Sequence, residues 1–186
     1  MNKNMLSKGA LIVFTLFLIA ALLFLLYLSE NSNSYSEPSE ALLAVEDDLV
    51  LIQAYKLDDD SLYFFINDQE NLGASFIHKG LFGWKAEHLD WSPFDTNVKH
   101  NQLSGYHGYG DNLIYGLIKN GDELIVKKNE DVARIINLEM LPRNIVEDYH
   151  LQDMYLWYIK SERVFEEGEI ELINKYSEEV IDVVAR

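Results

Sequence analysis

From Ala10 to Leu28 the chain reads ALIVFTLFLIAALLFLLYL, 19 consecutive residues without a charge. With a rise of about 1.5 Å per residue, a helix of this length nearly matches a hydrocarbon core of about 30 Å. A buried core helix rarely lacks every polar face, so a transmembrane helix is expected. Lys3 and Lys8 precede the run, whereas Ser29, Glu30, Asn31 and Ser32 follow it. The basic residues place the N-terminus in the cytoplasm and everything after the run outside it. The rival reading is a cleaved signal peptide, with Ser32 and Ser34 as small residues for cleavage. Against it, the run exceeds the usual apolar region of about 7 to 15 residues, and Tyr27-Leu28-Ser29 offers no small residue where cleavage directly after the run needs one. A retained anchor is therefore expected.

The anchor divides the chain into a cytoplasmic N-terminus at 1–9, a transmembrane segment at 10–28, a flexible tether at 29–38 (SENSNSYSEP) and an extracytoplasmic domain at 39–186. Some 145 residues after the tether are enough for one domain with one core. Removing Lys3 and Lys8 from the 15 basic residues leaves 13 against 31 acidic ones, a net charge of −18 on the exported part. Such a surface repels nucleic acid and anionic head groups, which proteins hold through Lys and Arg. With 48% apolar and 12% aromatic residues the acidic chain still folds. It contains no cysteine, which removes disulfides, thiolate metal sites, catalytic thiols and a lipid-modified cysteine.

Ser39 to Asp47 suits a brief helix, with Ser39 as its cap, Glu40 in its first turn and Leu42 and Val45 three apart. The apolar period then falls to two. Strands are expected near Leu49–Leu57, Leu62–Asn67, Ala74–His78, Phe82–His88, Asn112–Lys119, Glu123–Lys128, Val132–Leu138 and Tyr155–Lys160. Asp58-Asp59-Asp60 reads as a turn, and Asn120-Gly121 carries the strongest hairpin signal in the chain. Asp90 to Asp111, with Pro93, Gly105, Gly108 and Gly110, is expected to be the longest irregular segment. The tail, Glu169–Lys175 and Val180–Val184, is either a closing hairpin, which is favoured, or one amphipathic helix. The fold class expected is α+β and β-rich: an N-terminal transmembrane helix, a short helix, and a mainly antiparallel domain of about seven to nine strands.

The phrases Gly80-Leu81-Phe82-Gly83-Trp84-Lys85, Ile114-Tyr115-Gly116-Leu117-Ile118-Lys119 and Leu156-Trp157-Tyr158 carry a resemblance that covers about two thirds of the chain. In this arrangement the chain resembles uncharacterised membrane-anchored extracytoplasmic proteins of low-GC Gram-positive bacteria. The resemblance implies an exported β-rich domain and supplies no activity or site residue. Where such proteins close on a glycine-bearing turn, this chain has Ser177-Glu178-Glu179.

A search for chemistry finds no Gly-x-Ser-x-Gly elbow, no pair of histidines with zinc-peptidase spacing and no phosphate-cradling glycine loop. The candidate polar site is the loop from His100 to Asp111. There His100, His107 and Asp111 would bind a divalent transition metal if they converged, although the commoner explanation is a surface loop whose glycines serve turns. Trp91, Tyr106 and Tyr109 are candidate ligand-binding residues, as aromatics stack on glycans and peptides. Trp84 and Trp157 read as strand packing, and His78, His88 and His150 as surface or edge positions. No cofactor is implied. The expected partners are the membrane, through residues 10–28, and an envelope protein or peptide. The leading reading is a non-enzymatic binding, sensing or accessory module; the alternatives are a metal-assisted or carboxylate-based envelope hydrolase and a structural subunit of a membrane complex.

Overall fold

The structure, a computed structural model, describes residues 3–68, 70–93, 95, 97–103 and 105–185. Helix α1 (Lys3–Ser32) contains the apolar run, and within it Leu11–Leu28 is long and apolar enough to cross a membrane. None of that window is buried against the rest of the protein.

The segment expected as a flexible tether is instead structured. Helix α1 runs on to Ser32, and Tyr35 then forms a β-bridge with Trp84, donating its N–H to the Trp84 carbonyl (3.0 Å) and accepting from the Trp84 N–H (2.8 Å). Helix α2 (Pro38–Leu43) follows at once and ends sooner than expected. Its cap is Glu37 rather than Ser39, because Pro38 takes the first helical position, where its missing N–H costs nothing. The Glu40 carboxylate closes the turn by accepting from the Glu37 N–H at 3.3 Å.

The remainder is an α+β, β-rich domain of antiparallel strands. The first sheet comprises β1 (Val50–Lys56), β2 (Asp60–Ile66), β3 (Asn71–Gly80), β4 (Gly83–Ala86) and β5 (Asp90–Pro93), with β4 and β5 both pairing β3. The second has the order β10-β11-β7-β6, from β6 (His107–Tyr109), β7 (Leu113–Lys119), β10 (Arg134–Asn137) and β11 (Met154–Lys160). The third has the order β13-β12-β8-β9, from β8 (Leu124–Lys128), β9 (Asp131–Val132), β12 (Glu169–Asn174) and β13 (Val180–Ala185). A short helix α3 (Arg143–Asp148) precedes β11.

The period-two pattern of the central strands assigns alternate side chains to different cores. In β7, Leu113, Tyr115 and Leu117 face the first sheet, while Ile114 and Ile118 face the third. In β11, Met154, Leu156 and Tyr158 take the first side, and Tyr155, Trp157 and Ile159 the second. The middle sheet is thus covered on both faces. The first sheet is covered likewise: Leu62, Phe64 and Ile66 of β2 join the first core, whereas Tyr63 and Phe65 pack with Ala41 and Leu42 of α2. The layers run α2, first sheet, second sheet, third sheet.

Among the described residues thirteen strands are present, more than the seven to nine expected: Asp90 to Asp111 is not wholly irregular and contributes the short edge strands β5 and β6, the segment expected at Val132–Leu138 divides into β9 and β10, and the tail adds β12 and β13. The tail is a hairpin, β12 with β13. Asn120-Gly121 is not a hairpin turn. Strands β7 and β8 lie in different sheets, and Asn120, with φ 58°, leads into a 3-10 turn that carries the chain across. A Cβ on Gly121 would lie 2.5 Å from the Tyr155 ring, so the glycine serves a close approach between layers.

Leu156 is fully buried at the centre of the first core. Leu156→Ala is expected to lower the unfolding free energy by about 2–5 kcal/mol in chemical denaturation, as large-to-small changes in packed cores do.

Candidate functional site

The expected site residues are not gathered in one place. His107 enters β6, and pairing with β7 turns its ring inward, where Nδ1 lies 2.6 Å from the Ser92 hydroxyl of β5. His100 instead lies 3.1 Å from the Asn120 amide, and Asp111 occupies the exposed turn before β7, its carbonyl accepting from the Phe165 N–H at 2.9 Å. The convergence that a metal needs is absent: among the described residues no group of three or more His, Asp or Glu side chains is placed to hold an ion. Ser104, within that loop, lies outside the described residues.

The aromatic candidates are likewise dispersed. Trp91 is 44% exposed and meets the Phe65 ring edge-on at 6.4 Å. Tyr106 packs against the core between the second and third sheets. Tyr109 is buried in the other core, edge-on to Phe76 at 5.4 Å, with its hydroxyl donating to the His88 carbonyl at 2.6 Å. Only Trp91 offers an open face. Trp84 and Trp157 are buried, as strand packing requires.

The structure assembles a different cluster where the first and second sheets meet. The Tyr55 hydroxyl of β1 donates to Asp60 Oδ2 at 2.9 Å, and Lys160, at the end of β11, donates to the same oxygen at 3.0 Å and also to the Tyr55 hydroxyl. On its other side Asp60 Oδ1 faces His78 Nδ1 at 3.2 Å, and His78 Nε2 faces Glu87 at 3.1 Å. The Lys160 ammonium stands 4.7 Å from the Phe76 ring centroid and 4.9 Å from that of Tyr55. Asp60 is therefore more than a turn residue, and His78 more than an edge position.

The electrostatics follow from this placement. Burial works to raise the Asp60 carboxyl, but hydrogen bonds from Lys160 and Tyr55, with the Lys160 charge, outweigh it and hold the group below its ordinary value. Burial, and then the bond to the Asp60 carboxylate, push the Tyr55 phenol upward. Asp60 is thus an anion and Tyr55 a neutral donor at neutral pH. A carboxylate held down in this way is unsuited to act as a general acid.

Two clefts flank the cluster and share Lys160. The larger, of about 450 Å³, is lined by Tyr55, Leu57, Val132, Arg134, Tyr158, Lys160, Ser161 and Glu162. The smaller, of about 320 Å³, includes Phe76, His78, Glu87 and Tyr109. No residue of the cluster is a candidate from the sequence; of those lining the two clefts, Tyr109 is one. Asp60 and Lys160 are 100 positions apart, and no spacing rule connects them.

The Ser92–His107 pair has a nucleophile-and-base composition, yet neither residue lines these clefts. Its evident effect is to join the edges of two sheets. Burial lowers the His107 pKa from its ordinary 6.5, against an opposing pull from Asp90. The unfolded chain therefore takes up a proton that the folded one resists, and stability falls as pH drops through 6.5. The loss of Asp60 stabilisation lies in a separate window below 3.8. Thermal unfolding between about pH 7.5 and 5 is expected to show a loss of Tm that His107→Gln reduces. Lys160→Met is expected to raise the Asp60 pKa, read from the carboxyl carbon shift by NMR. Comparison with protein-family models, with curated proteins and with solved structures finds no match for this chain.

Proposed function

We propose that the chain is a single-pass membrane-anchored protein whose β domain faces the extracytoplasmic side and acts as a binding or accessory module. The ligand carries one anionic group and sits in the larger cleft. The anchor is supported by α1, whose apolar window has no residue buried against the domain and so needs lipid as its solvent. Lys3 and Lys8 before the span support the orientation.

The observation that carries the binding reading is the state of Arg134. Acidic residues outnumber basic ones 31 to 15, and several cations are paired: Lys56 with Glu37, Lys85 with Glu30, Arg143 with Glu147, Lys160 with Asp60. Arg134 has no ion pair among the described residues, although it stands in a cleft beside Tyr55 and Tyr158. A guanidinium presents five donors in a plane that suits a carboxylate or phosphate. Leu57 and Val132, both exposed on the same cleft, add apolar walls for the remainder of a ligand. Glu162 lines the cleft too and disfavours a polyanion.

Two measurements test this. In cells the full chain is expected to remain with membranes after an alkaline carbonate wash, with its domain open to protease added outside; a soluble species shortened at its N-terminus would refute the anchor. In lipid nanodiscs, inorganic phosphate is expected to shift the amide signals of Val132 to Arg134, and Arg134→Gln to weaken that response about tenfold, the loss typical of a charge-assisted contact. An unchanged response in Arg134→Gln removes the cleft from the proposal.

A further inference from the structure

Strands β3 and β4 are joined by a two-residue turn in which Leu81 and Phe82 stand between the paired glycines Gly80 and Gly83. Such turns ordinarily hold Asn, Asp or Gly, whose short polar side chains suit both the backbone and water. Here two large apolar side chains occupy the tip, Leu81 98% exposed and Phe82 40%.

The surroundings of the tip explain the exception. The Phe82 ring meets the Tyr27 ring edge-on with centroids 5.1 Å apart, and Tyr27 is the last residue but one of the apolar window of α1. Further along the same chain Glu30 pairs with Lys85, and further still Tyr35 pairs its backbone with Trp84. Three successive contacts lay the hairpin along the end of the helix. The last needs Gly83: with φ 142° and a would-be Cβ 2.4 Å from the Tyr35 carbonyl oxygen, no other residue allows that approach.

We infer that the Leu81–Phe82 hairpin tip inserts into the lipid bilayer beside α1, at the boundary between head groups and acyl chains, and so fixes how the domain stands on the membrane. This rests on reading α1 as a retained anchor. Given that reading, Tyr27 lies at the boundary where aromatic rings collect, and Phe82, in contact with it, shares its depth. Leu81 precedes Phe82 at the tip and has no protein cover. Lys79, on the strand that leads into the turn, lies where a long cationic side chain reaches lipid phosphates, whereas Lys85 is held by Glu30. Because the inserted groups are apolar, the contact does not require anionic lipid, which suits a domain of this acidity.

The absence of cysteine permits a clean test. Single cysteines replacing Leu81, Leu18 within the span, or Tyr176 in the exposed turn after β12 are labelled with an environment-sensitive fluorophore in the full chain. The labelled proteins are reconstituted in phosphatidylcholine vesicles that carry shallow spin-labelled lipid. Labels on Leu81→Cys and Leu18→Cys are expected to be quenched severalfold more than that on Tyr176→Cys, with blue-shifted emission at both. Quenching at 18 with water-like emission at 81 overturns the hairpin insertion and leaves the anchor standing. Water-like emission at 18 overturns the anchor and the insertion together, and quenching at 176 equal to that at 81 overturns a contact specific to the tip.

Discussion

Trp157 lies across Gly116, its direct partner in the neighbouring strand, where a Cβ would come within 2.9 Å of the indole. That contact sits on the face of the middle sheet that the third sheet covers, while Leu156 and Tyr158, on either side of Trp157, point into the first core. A sheet buried on both faces has no side on which to place charge, so β7 and β11 read as almost unbroken apolar runs. The acidic residues are displaced outward to turns, edges and the outer sheets. The same geometry explains how a chain with net charge −16 packs well: among the described residues Lys128 is the one charged side chain that is fully buried.

Much of this was legible in the sequence because the strands that matter most are long and chemically plain. Ile114 to Lys119 and Tyr155 to Lys160 could hardly form anything other than interior strands, and the alternation of Ile170 and Leu172 favoured the hairpin that closes the chain. The apolar run from Ala10 to Leu28 specified a helix by length alone. Asn120-Gly121 misled because its local chemistry is right for a hairpin while its role is decided by Tyr155, a residue of another strand. Local preference fixes the backbone angle of Asn120; it does not say which sheet receives the chain afterwards.

The candidate site was hidden for a related reason. Tyr55, Asp60, His78, Glu87 and Lys160 come from separate elements, and each alone is an ordinary polar residue near a strand end. Their significance arises only when the first and second sheets pack. The loop at His100 to Asp111 attracted attention by composition, yet the pairing of β6 with β7 sets His107 against Ser92, while His100 lies against Asn120. Composition ranks a segment by what it contains, while a site is made by what faces what.

The order of strands has a consequence for how the domain comes into being. The chain leaves the second sheet after β7, contributes β8 and β9 to the third, returns to supply β10 and β11, and leaves again for β12 and β13. As the polypeptide emerges from its N-terminus, the first sheet can pair from contiguous segments, but the second waits for β11 and the third for the last hairpin. Until residues 169–185 arrive, Ile114, Ile118, Trp157 and Ile159 form an apolar face that is only partly covered, with Leu124 and Val126 of β8 against it. Closure is therefore a late event dominated by distant pairings, which slows folding and exposes the nascent chain to aggregation. A truncation of the final hairpin would leave a sticky intermediate rather than a smaller stable domain.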